Sequence, residues 1–364
     1  MTTFIPGLQL SEAFYRELVA PILRAHYPKL PYAAALLGWG SEVLGYDTPL
    51  SMDHHWGPRL LLFVPDTYDE QAKQRLSATL SAHLPYEFRG FPTNFGAPEG
   101  NGVRLPVLIS DGPVSHMVEI FGLREFCDFY LDIDPYQPLT VSQWLTLPEQ
   151  RLLAVTQGKV FDDATGELTQ LRTQLAYYPD QVWRYLLVAQ WTKISQEEAF
   201  MGRCGDVGDE LGSRLMASRL VYYLMKLCFL MERQYAPYKK WFGTAFAQLQ
   251  CAATLQPILN AVFGAPDWKQ REEHLSRAYT VVAQMHNQLQ LTPALSVEVE
   301  SYYNRPYRVI HADRFAEAIQ ATITDPAIIH VPAPIGAIDQ FVDSTDVTEH
   351  PRFCRRLTVM FDRR

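Results

Sequence analysis

Residues 38–64, GWGSEVLGYDTPLSMDHHWGPRLLLFV, constrain this chain more than any other stretch. An apolar run at 33–37 leads into Gly40-Ser41, a turn-rich connector follows, and the polar cluster Asp53-His54-His55 runs directly into the strand-like segment 59–64. That order suits a site that handles phosphate. Glycine at a turn lets backbone N–H groups approach an anion with no Cβ in the way, and the Ser41 hydroxyl adds a donor. In an extended segment alternate side chains share a face, so Asp53 and His55 are expected on one side and His54 on the other. Two such side chains can hold one metal ion between them.

The series Gly40-Ser41, Gly45, Ser51, Asp53 and then an apolar strand resembles the signature of the DNA polymerase β-like nucleotidyltransferase superfamily, in which a Gly-Ser turn precedes an Asp-x-Asp pair. The same stretch is similar to the DUF4037 family of nucleotidyltransferase-like proteins. So are GRCGDVGDELGSR (202–214), YAPYKKW (235–241) and IDQFVDSTD (338–346). The resemblance implies a nucleotidyltransferase fold with an attached helical domain, a metal such as Mg²⁺ or Mn²⁺, and an NTP as substrate, ATP first among them. It implies Asp53 as metal ligand and a third acidic residue on a later strand, for which Glu119 in SHMVEIFG (115–122) is the choice.

One departure stands out. The second metal-binding carboxylate of that signature falls on His55, and Met52 is an extra residue between Ser51 and Asp53. Mg²⁺ prefers hard oxygen ligands, whereas imidazole suits Zn, Mn or Ni better. Asp-His-His is also the motif of the DHH phosphoesterases, which bind Mn²⁺ and hydrolyse phosphodiesters. There the motif follows an apolar strand, whereas here it precedes one.

Composition sets the remaining bounds. With 364 residues and 48% hydrophobic side chains the chain is long enough for two domains with substantial cores. A net charge of −8 argues against broad binding of extended nucleic acid, which needs a basic surface to release counterions. The five cysteines are scattered without zinc or disulfide spacing and read as reduced thiols of a cytoplasmic protein. The N-terminus lacks the pattern of a signal peptide, and the longest apolar run, 220–231, is too short to cross a bilayer and is broken by Lys226.

Along the chain, 11–27 reads as a helix capped by Ser11 with Pro21 as a possible kink, 69–83 as a helix capped by Asp69, and 86–90 as a short strand. Residues 90–102 read as a loop and 115–122 as a strand with Met117 and Glu119 on one side and Val118 and Ile120 on the other. From 139 onward the periodicity is helical, with helices expected at 149–156, 181–194, 209–233, 239–250 and 267–290. The last part carries a strand-like run at 307–310, a short helix at 313–323 and an acidic terminus with Asp339, Asp343 and Asp346, read either as a flap or as a simple closing segment.

Strands first and helices afterwards give an α+β class: a mixed-sheet domain over 1–138, a helical domain over 139–295 and a C-terminal segment over 296–364 packing back on the body. Within the helical part, Arg203 and Arg214 can pair with phosphates, against the plainer reading of a glycine-spaced helix contact. Lys239 and Lys240, between Tyr238 and Trp241, suit a nucleotide, against solvated lysines beside a core aromatic. The expected activity is metal-dependent transfer of a nucleotidyl group from an NTP to a hydroxyl of a small molecule or protein, in a cleft between the domains. Glu119 and Asp53 would be catalytic, Asp53, His55 and Glu119 the metal ligands, and Gly40, Ser41, Ser51, Arg203, Arg214, Lys239 and Lys240 the nucleotide contacts. The alternative is a catalytically silent relative that binds a nucleotide or a partner.

Overall fold

A computed structural model describes residues 3–53, 56–100 and 102–361. The chain divides into two compact units, the first comprising 1–138 and 151–176 and the second 139–150 and 177–364.

The first unit is built on a four-stranded sheet. Its strands are β1 (Ala33–Leu36), β2 (Arg59–Val64), β5 (Met117–Gly122) and β6 (Lys159–Asp163); between β2 and β5 in sequence lies a small hairpin, β3 (Glu87–Phe88) with β4 (Phe91–Pro92). The sheet order is β5-β2-β1-β6. β1 runs antiparallel to both neighbours, and β2 and β5 are parallel, with Arg59 opposite Met117 and Leu61 opposite Glu119. The sheet is therefore mixed, and the molecule is of the α+β class.

Strand alternation sorts the side chains. Ala34, Leu36, Leu60, Leu62, Val64 and Val118 face a core shared with Leu10, Phe14, Leu23, Leu76 and Leu80 of the covering helices. On the opposite face Phe63 and Phe121 pack on Phe126, at 5.3 and 5.8 Å between ring centroids. Phe126 belongs to helix Leu123–Leu131, which follows β5 directly.

The N-terminal helix corrects one expectation. Ser11 is buried inside helix Gly7–Phe14, which starts four residues earlier, so it is not a cap. Pro21 shapes this region by a different route. Proline has no N–H to donate and its ring would crowd the carbonyl four residues back. The chain widens into a π-helical turn, Tyr15–Val19, just before Pro21, then resumes as helix Ala20–His26. Helix Glu70–His83 is capped as the sequence predicts, with the Asp69 carboxylate accepting from the Ala72 N–H at 2.7 Å.

The second unit is mainly helical. Its long members are Asp180–Glu197, Glu210–Met231 and Trp268–Gln288, the last two capped by Asp209 and Asp267. The strands β7 (Glu300–Ser301) and β8 (Arg308–Val309) form a hairpin before helix Asp313–Gln320. That helix is anchored where Phe315 stacks on the buried Trp191 at 4.4 Å. Among the described residues no helix is long and apolar enough to cross a membrane, and the five cysteines are free thiols.

Candidate functional site

The chain leaves β1 at Leu36, turns at Gly38 and Gly40, and enters a 3-10 helix, Ser41–Leu44, that ends at Gly45 in the left-handed region. Gly40 has φ +106°, and a Cβ there would overlap the Glu42 carboxylate and the Arg59 guanidinium. Both position and backbone angle therefore demand glycine. Arg59 opens β2 and reaches under the turn. Its Nε donates to Glu42 Oε1 at 2.9 Å, and its Nη2 donates to the same oxygen and to the Trp39 carbonyl, each at 2.5 Å. Glu42 and Arg59 are 3% and 2% exposed, so this is a fully desolvated pair.

Arg59 and Glu119 stand on the same face of the sheet, two residues apart in register across the parallel β2–β5 pair. The turn that holds Gly40-Ser41 is thus tied by a side chain to the face that carries Glu119. Glu119 is half-buried, and among the described residues no group hydrogen-bonds its carboxylate. Burial pushes the Glu119 carboxyl above its ordinary range, against the pull of Arg59 and Arg104. Arg104 is itself fixed by the carbonyls of Gly96 and Phe95, both at 2.9 Å, and by the Ser115 hydroxyl at 2.7 Å.

The described parts of the connector between Gly45 and β2 are held by side-chain hydrogen bonds. Asp47 Oδ2 accepts from the Gly7 N–H at 2.7 Å and from the buried Trp56 Nε1 at 3.1 Å. Ser51 closes a local turn, its hydroxyl accepting from the Thr48 N–H at 3.0 Å. Asp53 ends a second 3-10 helix, Pro49–Asp53, so its backbone is not the extended segment that alternate-face reasoning requires. The Asp53 side chain, with His54 and His55, lies outside the described residues.

A hard divalent ion such as Mg²⁺ is held through oxygen ligands, carboxylates among them. Glu119 supplies one, with a burial cost that a cation would offset. Among the described residues no three His, Cys, Asp or Glu side chains gather to hold a metal.

The other candidates lie in the second unit. Arg203 is exposed on helix Phe200–Asp206. Arg214 is paired with Glu210 at 2.8 Å. Gly202 and Gly205 serve packing: a Cβ at Gly205 would overlap the Trp268 ring, and one at Gly202 would press on Glu272 and Tyr307. Lys239 pairs with Asp343, and Lys240 lies 5.0 Å over the Trp241 ring. Two of the segments singled out in the sequence, 235–241 and 338–346, therefore meet.

Sequence reasoning missed Glu42, Arg59 and Arg104. The signal for the first two was present: an arginine heading an otherwise apolar strand, and a glutamate directly after Gly40-Ser41.

Together these features define an α+β protein with a mixed-sheet unit, a Gly-Ser turn braced from β2 and a carboxylate on β5. The stretch 144–242 matches the model of a family described as Domain of unknown function (DUF4037). It includes 202–214 and 235–241 but neither 38–64 nor 338–346. No curated protein matches the chain. A solved structure of a nucleotidyltransferase-like protein from Exiguobacterium sibiricum 255-15 is similar at 12% identity and a TM-score of 0.30, covering 86% of this chain and 89% of that one. A likeness so slight carries no argument about site or substrate.

Proposed function

We propose that the first unit is a metal-dependent nucleotidyltransferase domain acting in the cytoplasm, moving a nucleotidyl group from an NTP to a hydroxyl of a small molecule or protein. The observation that carries the reading is the placement of the braced Gly40-Ser41 turn and the half-buried Glu119 on one face of the sheet, joined through Arg59. In this reading the turn N–H groups and the Ser41 hydroxyl receive phosphate oxygens. Asp53 and Glu119 hold Mg²⁺ or Mn²⁺, with His55 as a further ligand. When bound, the ion neutralises the triphosphate. Glu119, with its raised carboxyl, can take the proton of the attacking hydroxyl at Oε as the new P–O bond forms and pyrophosphate leaves with its electron pair.

A second reading, a catalytically silent relative that binds a nucleotide or a partner, is favoured by His55 standing where the signature has its second metal-binding carboxylate.

The two are separated by incubating the protein with labelled ATP, GTP, CTP and UTP in Mg²⁺ or Mn²⁺ and following pyrophosphate release in wild type, Asp53→Ala and Glu119→Gln. Transfer predicts release that falls by on the order of a hundredfold or more in both variants. Tight binding without release supports the silent reading. Release or binding indifferent to both substitutions overturns the site.

A further inference from the structure

The helical unit holds a charged group that nucleotidyl transfer does not use. Lys226, buried on helix Glu210–Met231, donates to Glu149 Oε2 at 2.8 Å. The Glu149 N–H, at the start of helix Glu149–Thr156, donates to Asp339 Oδ2, also at 2.8 Å. Two carboxylates therefore lie within electrostatic reach of a single ammonium. That ammonium is committed to Glu149, and among the described residues Asp339 has no ion-pair partner. Burial and the neighbouring Glu149 charge push the Asp339 carboxyl up to about 6, against the pull of Lys226.

A second observation points into the same place. The Tyr178 side chain is fully buried, and its hydroxyl has no hydrogen-bond partner among the described residues. Glu149, Tyr235 and Asp339 all act on it. A buried phenol left without a partner is rare in folded proteins. The half-buried Tyr222 and the buried Tyr235 carry the same electrostatic imprint of Glu149.

We propose that Asp339, Glu149 and Tyr178 form a binding site for the primary ammonium group of a small organic molecule, apart from any nucleotide site. An ammonium brings three N–H donors and one positive charge. The charge balances the second carboxylate, the carboxylate oxygens and the Tyr178 oxygen accept the donors, and the tyrosine rings suit a cation at their faces. An anion is disfavoured by two carboxylates over one lysine. A hard divalent ion would want more oxygen ligands than two carboxylates give, and among the described residues no third carboxylate, His or Cys joins them. Asp339 and Tyr222, half-buried where Tyr178, Glu149 and Lys226 are buried, form the more exposed side of the cluster.

The test titrates the full chain with n-butylamine and 1,4-diaminobutane at a pH of about 8, where an alkyl ammonium and the carboxylates are both charged. Tm and tyrosine difference absorbance are followed, with tetramethylammonium as a cation that has no N–H. Saturable stabilisation by the primary amines, absent with tetramethylammonium, is expected. Asp339→Asn keeps an acceptor for the Glu149 N–H and the side-chain shape, and should weaken binding by at least about tenfold. Tyr178→Phe should weaken it by roughly three- to tenfold, and Glu119→Gln should leave it unchanged. No saturable shift in the wild type, an equal shift in Asp339→Asn, or an equal response to tetramethylammonium overturns the proposal. Failure of amine binding leaves the pyrophosphate assay untouched, so the two readings fall separately.

Discussion

The pair beneath the Gly-Ser turn makes the sharpest claim about how the first unit is held together. Glu42 and Arg59 are almost completely desolvated, at 3% and 2% exposure, and their two hydrogen bonds converge on Glu42 Oε1. An exposed ion pair contributes about 0–1 kcal/mol. A buried one behaves differently, because removing one partner strands the other charge away from water, at about 3–5 kcal/mol. Glu42→Gln preserves the shape and an acceptor while removing the charge, and should cost about 3 kcal/mol. Arg59→Met also removes the bond to the Trp39 carbonyl and should cost at least as much. The double variant leaves no stranded charge. It should therefore be more stable than the sum of the single losses predicts, with a coupling of about 2–3 kcal/mol. Urea denaturation followed by tryptophan fluorescence measures this, since Trp39 sits on the turn itself. A Glu42→Gln cost under about 1 kcal/mol, or additivity within about 0.5 kcal/mol, would refute the reasoning.

Two further outcomes follow from the same kind of geometry. Gly158, just before β6, has φ +67°, and a Cβ there would overlap the Leu36 carbonyl oxygen at the end of β1, which is backbone and cannot step aside; Gly158→Ala should cost at least about 2 kcal/mol by denaturant melts, and a neutral result would refute the tight approach. Glu198, 4% exposed, accepts from the N–H groups of Ile310 and Ala312 at 3.0 and 3.2 Å, yet burial pushes its carboxyl up to about 7. A carboxyl raised in the folded state gives stability that is complete below the unfolded value of about 4.3 and is lost as pH rises through the folded one. Stability should fall between those limits by about 4 kcal/mol, and Glu198→Gln should flatten the fall; matching slopes in the two proteins would exclude Glu198 as its source.

What was legible in the sequence was local. The apolar segment 59–64 is strand β2, the Asp69 cap sits where its helix begins, and the Met117/Glu119 alternation in 115–122 gives the face on which Glu119 lies. Each follows from chemistry within a few residues of itself. Ser11 failed as a cap because the helix starts at Gly7, with the Asp47 carboxylate taking the Gly7 N–H from 40 residues away. A side chain that distant leaves no mark in a local pattern. The same holds for β6, which pairs with β1 across more than a hundred residues and whose run KVFDD has no clear alternation.

The polar clusters were the least legible, for a physical reason. A buried charge is tolerable only where its partners converge, and they can come from anywhere in the chain. Asp339 and the Glu149 N–H are separated by 190 residues, and Lys226 reaches Glu149 across 77. In the sequence these residues look like a helix start, an interruption in an apolar run and an acidic tail. Lys226 carried the one usable clue, as a charge inside the longest apolar run. A helical stretch buried on nearly every side, as 220–231 is, hides such a charge only if a counter-charge waits for it. Glu149 is that counter-charge, and the carboxylate left over at Asp339 is why the cluster asks for one more cation than the chain supplies.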